Sequence, residues 1–106
     1  MLISEIKDII CTAIEKRLFV TLRYDDDRLE RKFSPYHFYI AMTDNILVSG
    51  FQVTNPNKLA ENNIYHTFNI RLIKNIALTD QPFSPEPNLI TPPKKYKQLI
   101  CSINRF

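Results

Sequence analysis

Glycine is almost absent from this chain: Gly50 is the only one among 106 residues. A phosphate-binding loop needs several glycines, because the backbone has to approach the phosphates closely. A single glycine therefore excludes that class of nucleotide site. The catalytic motifs G-x-S-x-G and H-E-x-x-H are missing as well. We predict a protein that is not an enzyme and that uses no cofactor.

Cysteine and histidine are also scarce, with two residues of each. Cys11 and Cys101 are too few and too far apart in the sequence to indicate a disulfide framework. We therefore expect thiols with a structural or neutral role. His37 and His66 are not spaced as metal ligands are, so we predict no metal site.

A long hydrophobic run is missing too. No apolar stretch approaches the roughly 20 residues of a membrane-spanning helix. The N-terminal sequence MLISEIKDII has acidic residues where a signal peptide has basic ones. We expect a cytoplasmic protein without membrane contact. A chain of 106 residues, 44% of them hydrophobic, suffices for one small domain with its own core.

Positive charge is concentrated at the C-terminal end. Residues 1–93 contain ten Lys and Arg against eleven Asp and Glu, whereas the tail contains four cations and no acid. The cations of this basic tail are Lys94, Lys95, Lys97 and Arg105. Such a tail can attract nucleic acid or another anion, although four cations also fit a plain solubilising surface.

Hydrophobic periodicity predicts a mainly β protein with flanking helices. Ser4 can cap an N-terminal helix that ends near Lys16 or Arg17. Segments rich in β-branched and aromatic residues then predict strands at 18–24, 29–40, 46–52, 65–73 and 74–80. Pro35 lacks a backbone N–H, so it indicates that the second strand bends there.

The C-terminal part of the chain has a different pattern. Residues 84–93 are rich in proline and predict an extended linker. Thr91 followed by Pro92 is typical of a helix start. The apolar residues behind them recur at helical spacing: Tyr96, Leu99, Ile100 and Ile103. We predict a basic amphipathic helix over residues 94–106, docked on the β domain or on a second copy.

The order of three segments resembles the WYL domain, a small Sm-like or SH3-like β-barrel of bacterial transcription regulators. The segments are RKFSPY (31–36), NILVSGF (45–51) and FNIRLIKNIALTDQPF (68–83). The resemblance covers about residues 5–83. It implies an N-terminal helix and a five-stranded barrel within residues 1–83, and a role in regulation through binding a nucleotide or single-stranded nucleic acid.

The resemblance also implies which residues bind the ligand. Arg31 matches a basic position of the family, and His66 and Arg71 stand at or beside two further basic positions. The Trp-Tyr-Leu stretch of the family is Asn-Ile-Leu here, at residues 45–47, so both aromatic residues are missing. Arg31 has an alternative role from its own chemistry, since a guanidinium can pair with a carboxylate on a neighbouring strand.

Two functions of different classes fit these observations. The first is a non-enzymatic ligand-binding or regulatory module, in which Arg31, Arg71 and His66 hold an anion and the tail lysines attract nucleic acid. The second is a protein-interaction subunit that has lost the ligand pocket and acts as a homodimer or within a regulatory complex. A salt-dependent titration with nucleic acid separates the two.

Overall fold

The computed structural model describes residues 1–103, which fold as one α-helix packed on a six-stranded antiparallel sheet. The helix and strands are α1 (Ile3–Lys16), β1 (Leu18–Tyr24), β2 (Arg31–Ile40), β3 (Ile46–Thr54), β4 (Ile64–Asn69), β5 (Ile73–Pro82) and β6 (Gln98–Ser102). Single 3-10 turns occur at Leu59–Glu61, Ile70–Leu72 and Pro87–Leu89. The predicted mainly β fold with an N-terminal helix is confirmed.

Helix α1 packs its apolar side against β1, β2, β5 and β6. The Glu5 side chain accepts a hydrogen bond from the Leu2 N–H at 3.0 Å, so the helix begins there and Ser4 lies inside it. The helix ends at Lys16, and Arg17, which caps it, has a left-handed backbone with φ of 55°. Its buried residues are Ile6, Ile10, Ala13 and Ile14. Within residues 1–103, no helix is both long and apolar enough to cross a membrane.

Strand β2 bends near Pro35 and so takes part in two different pairings along one side. Its first part pairs with β1, where Phe33 faces Val20, and its last part pairs with β6. On its other side, the ladder with β3 is irregular between Pro35 and His37. The predicted pairing of the first two strands is confirmed. The irregular ladder at Pro35 agrees with the predicted bend, within one continuous strand.

Gly50 allows β3 to approach this bend closely. It faces Pro35 in the ladder. A Cβ atom at residue 50 would collide with the carbonyl oxygen of Ser34 and would lie 2.8 Å from the ring of Phe33. The only glycine of the chain is thus at a position where no side chain fits.

The sheet is open rather than closed. Its path runs β4-β3-β2-β1-β5, and within residues 1–103 no ladder joins β4 to β5. The predicted five-stranded SH3-like or Sm-like barrel is therefore not confirmed.

The predicted C-terminal helix is wrong. Gln98–Ser102 form β6, which pairs with β2 so that Cys101 faces Phe38. The bend in β2 leaves the backbone groups of its last part without a partner from β1, and β6 satisfies them. A helix would also have placed three lysines near its positive N-terminal end, where cations are disfavoured. Residues 104–106 of the predicted helix, Arg105 among them, lie outside the described residues.

The expectation for the cysteines is also wrong, because Cys11 and Cys101 form a disulfide. Their Cα atoms are 5.7 Å apart although 90 positions separate them in the sequence. Cys11 belongs to α1 and Cys101 to β6, two elements that pack against each other. Distance along the chain did not indicate this, because the approach depends on where β6 lies in the sheet.

Candidate functional site

Arg31 lies at the start of β2 and is buried in a polar cluster beside the loop between β1 and β2. Its Nε and Nη2 donate hydrogen bonds to the two carboxylate oxygens of Asp27, at 2.6 and 2.8 Å. The Arg31 side chain is 10% exposed and the Asp27 side chain 5%. Two parallel hydrogen bonds of this kind are the geometry that a guanidinium and a carboxylate prefer. The pairing with a carboxylate is present, and the partner comes from the hairpin loop.

The third nitrogen of the guanidinium also has partners within the protein. Nη1 donates to Oε1 of Gln52 at 3.1 Å and lies 3.4 Å from Nε2 of His66. The rings of Tyr24 and Phe68 lie 5.6 and 5.4 Å from the guanidinium carbon, within reach of cation–π attraction. We name Asp27, Arg31, Gln52 and His66, with these two rings, the Arg31 cluster.

The charges of the Arg31 cluster cancel near neutral pH. Burial by itself raises the pKa of Asp27, but hydrogen bonds from Arg31 and from the Tyr24 N–H, with the charge of Arg31, hold that pKa below its ordinary value. Burial lowers the pKa of His66, and the positive charge of Arg31 lowers it further. The cluster thus contains one cation, one anion and one neutral imidazole, so it attracts a phosphate only weakly.

The structure brings two of the predicted ligand-binding residues together and leaves the others apart. Arg31 and His66 are neighbours, whereas Arg71 is exposed in the turn before β5. In the tail, Lys94 and Lys95 are exposed, and Lys97 forms an ion pair with Asp44. Among the contacts of residues 1–103, none joins Arg71 or these lysines to the Arg31 cluster.

Sequence reasoning missed the other two polar members of the cluster, Asp27 and Gln52. Asp27 is the last of three consecutive acids, at residues 25–27, a pattern that predicts a turn, and it precedes Arg31 by four residues across that turn. Gln52 stands between the apolar residues Phe51 and Val53 in β3, and its buried amide also donates to the Glu61 carbonyl at 2.7 Å. An amide side chain between two apolar residues of a strand is the signal that could have found it, because buried polar groups need partners.

A second candidate site is an apolar groove between the bend of β2 and the chain that follows β5. Its volume is about 330 Å³, and its lining includes Phe19, Phe51, Phe83, Tyr36, Ser34 and Glu86. We name it the aromatic groove. Two of the lining residues are joined by a hydrogen bond, in which the Tyr36 hydroxyl accepts from the Glu86 N–H at 2.8 Å.

Comparisons with known protein families, with curated proteins and with solved structures find no match for this chain. The resemblance to the WYL domain therefore stays a prediction from the sequence. In the part of the chain that the structure describes, no three His, Cys, Asp or Glu side chains converge to hold a metal ion.

Proposed function

We propose that this protein is a non-enzymatic interaction module of WYL-like type, and that its partner is a second copy of the same chain. The observation that carries this proposal is the free edge of β4. In the ladders of residues 1–103, β4 pairs only with β3, so its other edge presents N–H and C=O groups without a strand partner. One N–H at the end of β4, that of Asn69, donates to the Tyr24 hydroxyl at 3.1 Å.

The residues of β4 fit a strand that pairs with another strand. Its sequence, IYHTFN, contains no Lys, Arg, Asp, Glu, Pro or Gly, the residues that usually protect an exposed edge. Tyr65 is 45% exposed and adds apolar area beside that edge. At the other end of the sheet, β5 carries Lys74 and Asp80 and ends at Pro82, which protect its edge.

The Arg31 cluster supports the same choice between the two predicted functions. A ligand pocket of the kind that the WYL resemblance implies needs a basic side chain that can reach an anion. Arg31 is instead held by Asp27 and Gln52, and the cluster is neutral overall. This agrees with the loss of the two family aromatics at residues 45–47 and favours an interaction subunit. A setting in transcriptional regulation rests on the resemblance alone.

The Cys11–Cys101 disulfide favours an oxidising compartment, where disulfides persist, over the cytoplasmic location expected from the sequence.

The dimer should be weakened when Tyr65 is replaced by lysine. A two-fold pair of β4 edges would bury the apolar ring of Tyr65, whereas a lysine at this position has to keep its charge in water and so opposes strand pairing. We expect Tyr65→Lys to weaken self-association by about tenfold or more, equivalent to about 1.4 kcal/mol. Light scattering coupled to size-exclusion chromatography over a dilution series measures this.

A matched control is Leu78→Lys on β5, which also replaces an exposed apolar side chain. It should leave self-association unchanged. A wild-type protein that stays at the 12.5 kDa of one chain at every concentration would overturn the proposal. If Tyr65→Lys and Leu78→Lys weaken self-association equally, β4 is not the interface.

Nucleic-acid binding is the second candidate, and the exposed Lys94 and Lys95 favour it. If a single strand binds there, the double variant Lys94→Ala and Lys95→Ala should lose affinity and reduce the salt dependence by about 0.7 per phosphate contact. A fluorescence titration with a short single-stranded DNA at several salt concentrations measures both. Lys74→Ala, on exposed β5, is the control. Binding that does not depend on salt would contradict nucleic-acid binding at these lysines. So would an affinity that is unchanged in the double variant.

A further inference from the structure

The aromatic groove has the size and lining of a small-molecule site. A volume of about 330 Å³ falls at the lower end of the range for ligand cavities. The rings behind it form one packed group, because Phe83 lies 5.5 Å from Phe19 and 5.4 Å from Tyr36 between ring centroids. The rings are tilted to each other, by 55° and 32°, and they offer an apolar aromatic wall against which another ring can pack.

The Tyr36 hydroxyl supplies a hydrogen-bond donor at this wall. Tyr36 is only 1% exposed, and its hydroxyl oxygen accepts a hydrogen bond from the Glu86 N–H. Among the hydrogen bonds of residues 1–103, none uses the proton of this hydroxyl. Burial raises the pKa of Tyr36 above its ordinary value, so the proton stays in place near neutral pH. A buried donor without an acceptor costs free energy, which a ligand oxygen or nitrogen would recover.

The charges around the groove indicate an uncharged ligand. Glu86 belongs to the lining, and its negative charge helps to raise the pKa of Tyr36, so it would repel an anionic acceptor at that hydroxyl. Lys32 lies with its Nζ 4.4 Å from the centre of the Phe19 ring, and it would repel a cation stacked on that ring. Neither sign of charge is favoured throughout the groove.

We propose that the aromatic groove binds a small, uncharged aromatic molecule whose carbonyl oxygen or ring nitrogen accepts the proton of the Tyr36 hydroxyl. The ring of the ligand stacks against the phenylalanines of the groove. The lining of the groove contains no residue of β4, although Phe51 faces Tyr65 in the β3–β4 ladder. The proposal does not depend on self-association.

Acetophenone and ethylbenzene are suitable probes, because they have nearly the same shape and only the first has a carbonyl acceptor. Each is titrated into the isotope-labelled full-length protein and followed by NMR chemical shifts. We expect acetophenone to shift the signals of Phe19, Phe51 and Tyr36 and to bind about tenfold more tightly than ethylbenzene. Benzoate, which has a charged acceptor, should bind more weakly than acetophenone.

The variant Tyr36→Phe keeps the ring and removes the donor. It should abolish the preference for acetophenone over ethylbenzene. Tyr39→Phe is the matched control, because the Tyr39 hydroxyl is also buried but bonds to Ser49 at 3.0 Å, away from the groove. That variant should keep the preference.

Equal affinity of the two probes for the wild-type protein would overturn the proposal. Chemical-shift changes with acetophenone at residues outside the groove would also overturn it. Both results are measured on the wild-type protein, so they remain decisive even if Tyr36→Phe fails to fold. A preference for acetophenone that survives in a folded Tyr36→Phe protein would equally exclude the assigned role of the hydroxyl.

Discussion

Loss of the Cys11–Cys101 disulfide should lower the free energy of unfolding by about 2–5 kcal/mol. The crosslink closes a loop across a sequence separation of 90 residues, so its removal frees much of the unfolded chain. Small domains have a total stability of about 5–15 kcal/mol, so this loss is a large part of the whole. Urea unfolding of the oxidised protein and of the double variant Cys11→Ser and Cys101→Ser measures the difference.

Removal of the disulfide should destabilise β6 more than the other strands. This strand is off the main path of the sheet and is held by its ladder with β2 and by the disulfide to α1. In hydrogen exchange, the amides of β6 should lose more protection in the double variant than those of β1 and β3. A reducing agent added to the double variant is the control and should change nothing. A double variant as stable as the oxidised protein would contradict the prediction.

Replacement of Arg31 by methionine should destabilise the fold by about 3–5 kcal/mol, because it leaves the Asp27 carboxylate buried without its partner. The size of the methionine side chain preserves part of the packing between Tyr24 and Phe68. Arg28→Met, at an exposed position of the same loop, is the matched control and should change stability by at most about 0.5 kcal/mol. Thermal or urea unfolding measures both variants.

The pH dependence of this loss has a definite sign. The folded protein holds the pKa of Asp27 below its ordinary value. The stability that the ion pair contributes is therefore present above the unfolded pKa of Asp27 and is lost as the pH falls through the folded pKa. The wild type and Arg31→Met should differ least in strong acid. A difference that grows as the pH falls would contradict the assignment.

Local signals were sufficient for the first half of the fold. A run of β-branched and aromatic residues predicts β1, three consecutive acids predict the turn, and Pro35 predicts the bend in β2. Each signal acts on its own stretch of backbone, so no distant contact is needed to interpret it. The structure has the hairpin and the bend at these positions.

Long-range contacts decided what the sequence pattern left ambiguous. Leu99, Ile100 and Ile103 fit one face of a helix, but over so short a segment the spacing also fits a strand. The choice depends on the unpaired last part of β2, some 60 positions away, and on the disulfide to α1. Neither can be deduced from residues 94–106 alone.

The role of Arg31 was ambiguous for the same reason. Its importance was predicted, but a guanidinium binds a phosphate and a carboxylate by similar hydrogen bonds. Gln52, 21 positions away, and His66, 35 positions away, complete the cluster only after β3 and β4 have paired. The sequence therefore indicates Arg31 as an important residue but does not show which group it binds.

A double-mutant cycle between Asp27 and Arg31 tests most directly whether Arg31 is the internal partner of Asp27 rather than a ligand-binding residue. Urea unfolding at neutral pH is measured for the wild type, Asp27→Asn, Arg31→Met and the double variant. We predict a coupling energy of about 2–3 kcal/mol, so that the double variant is much less destabilised than the sum of the single ones. A coupling energy near zero, with two additive losses, would contradict this account.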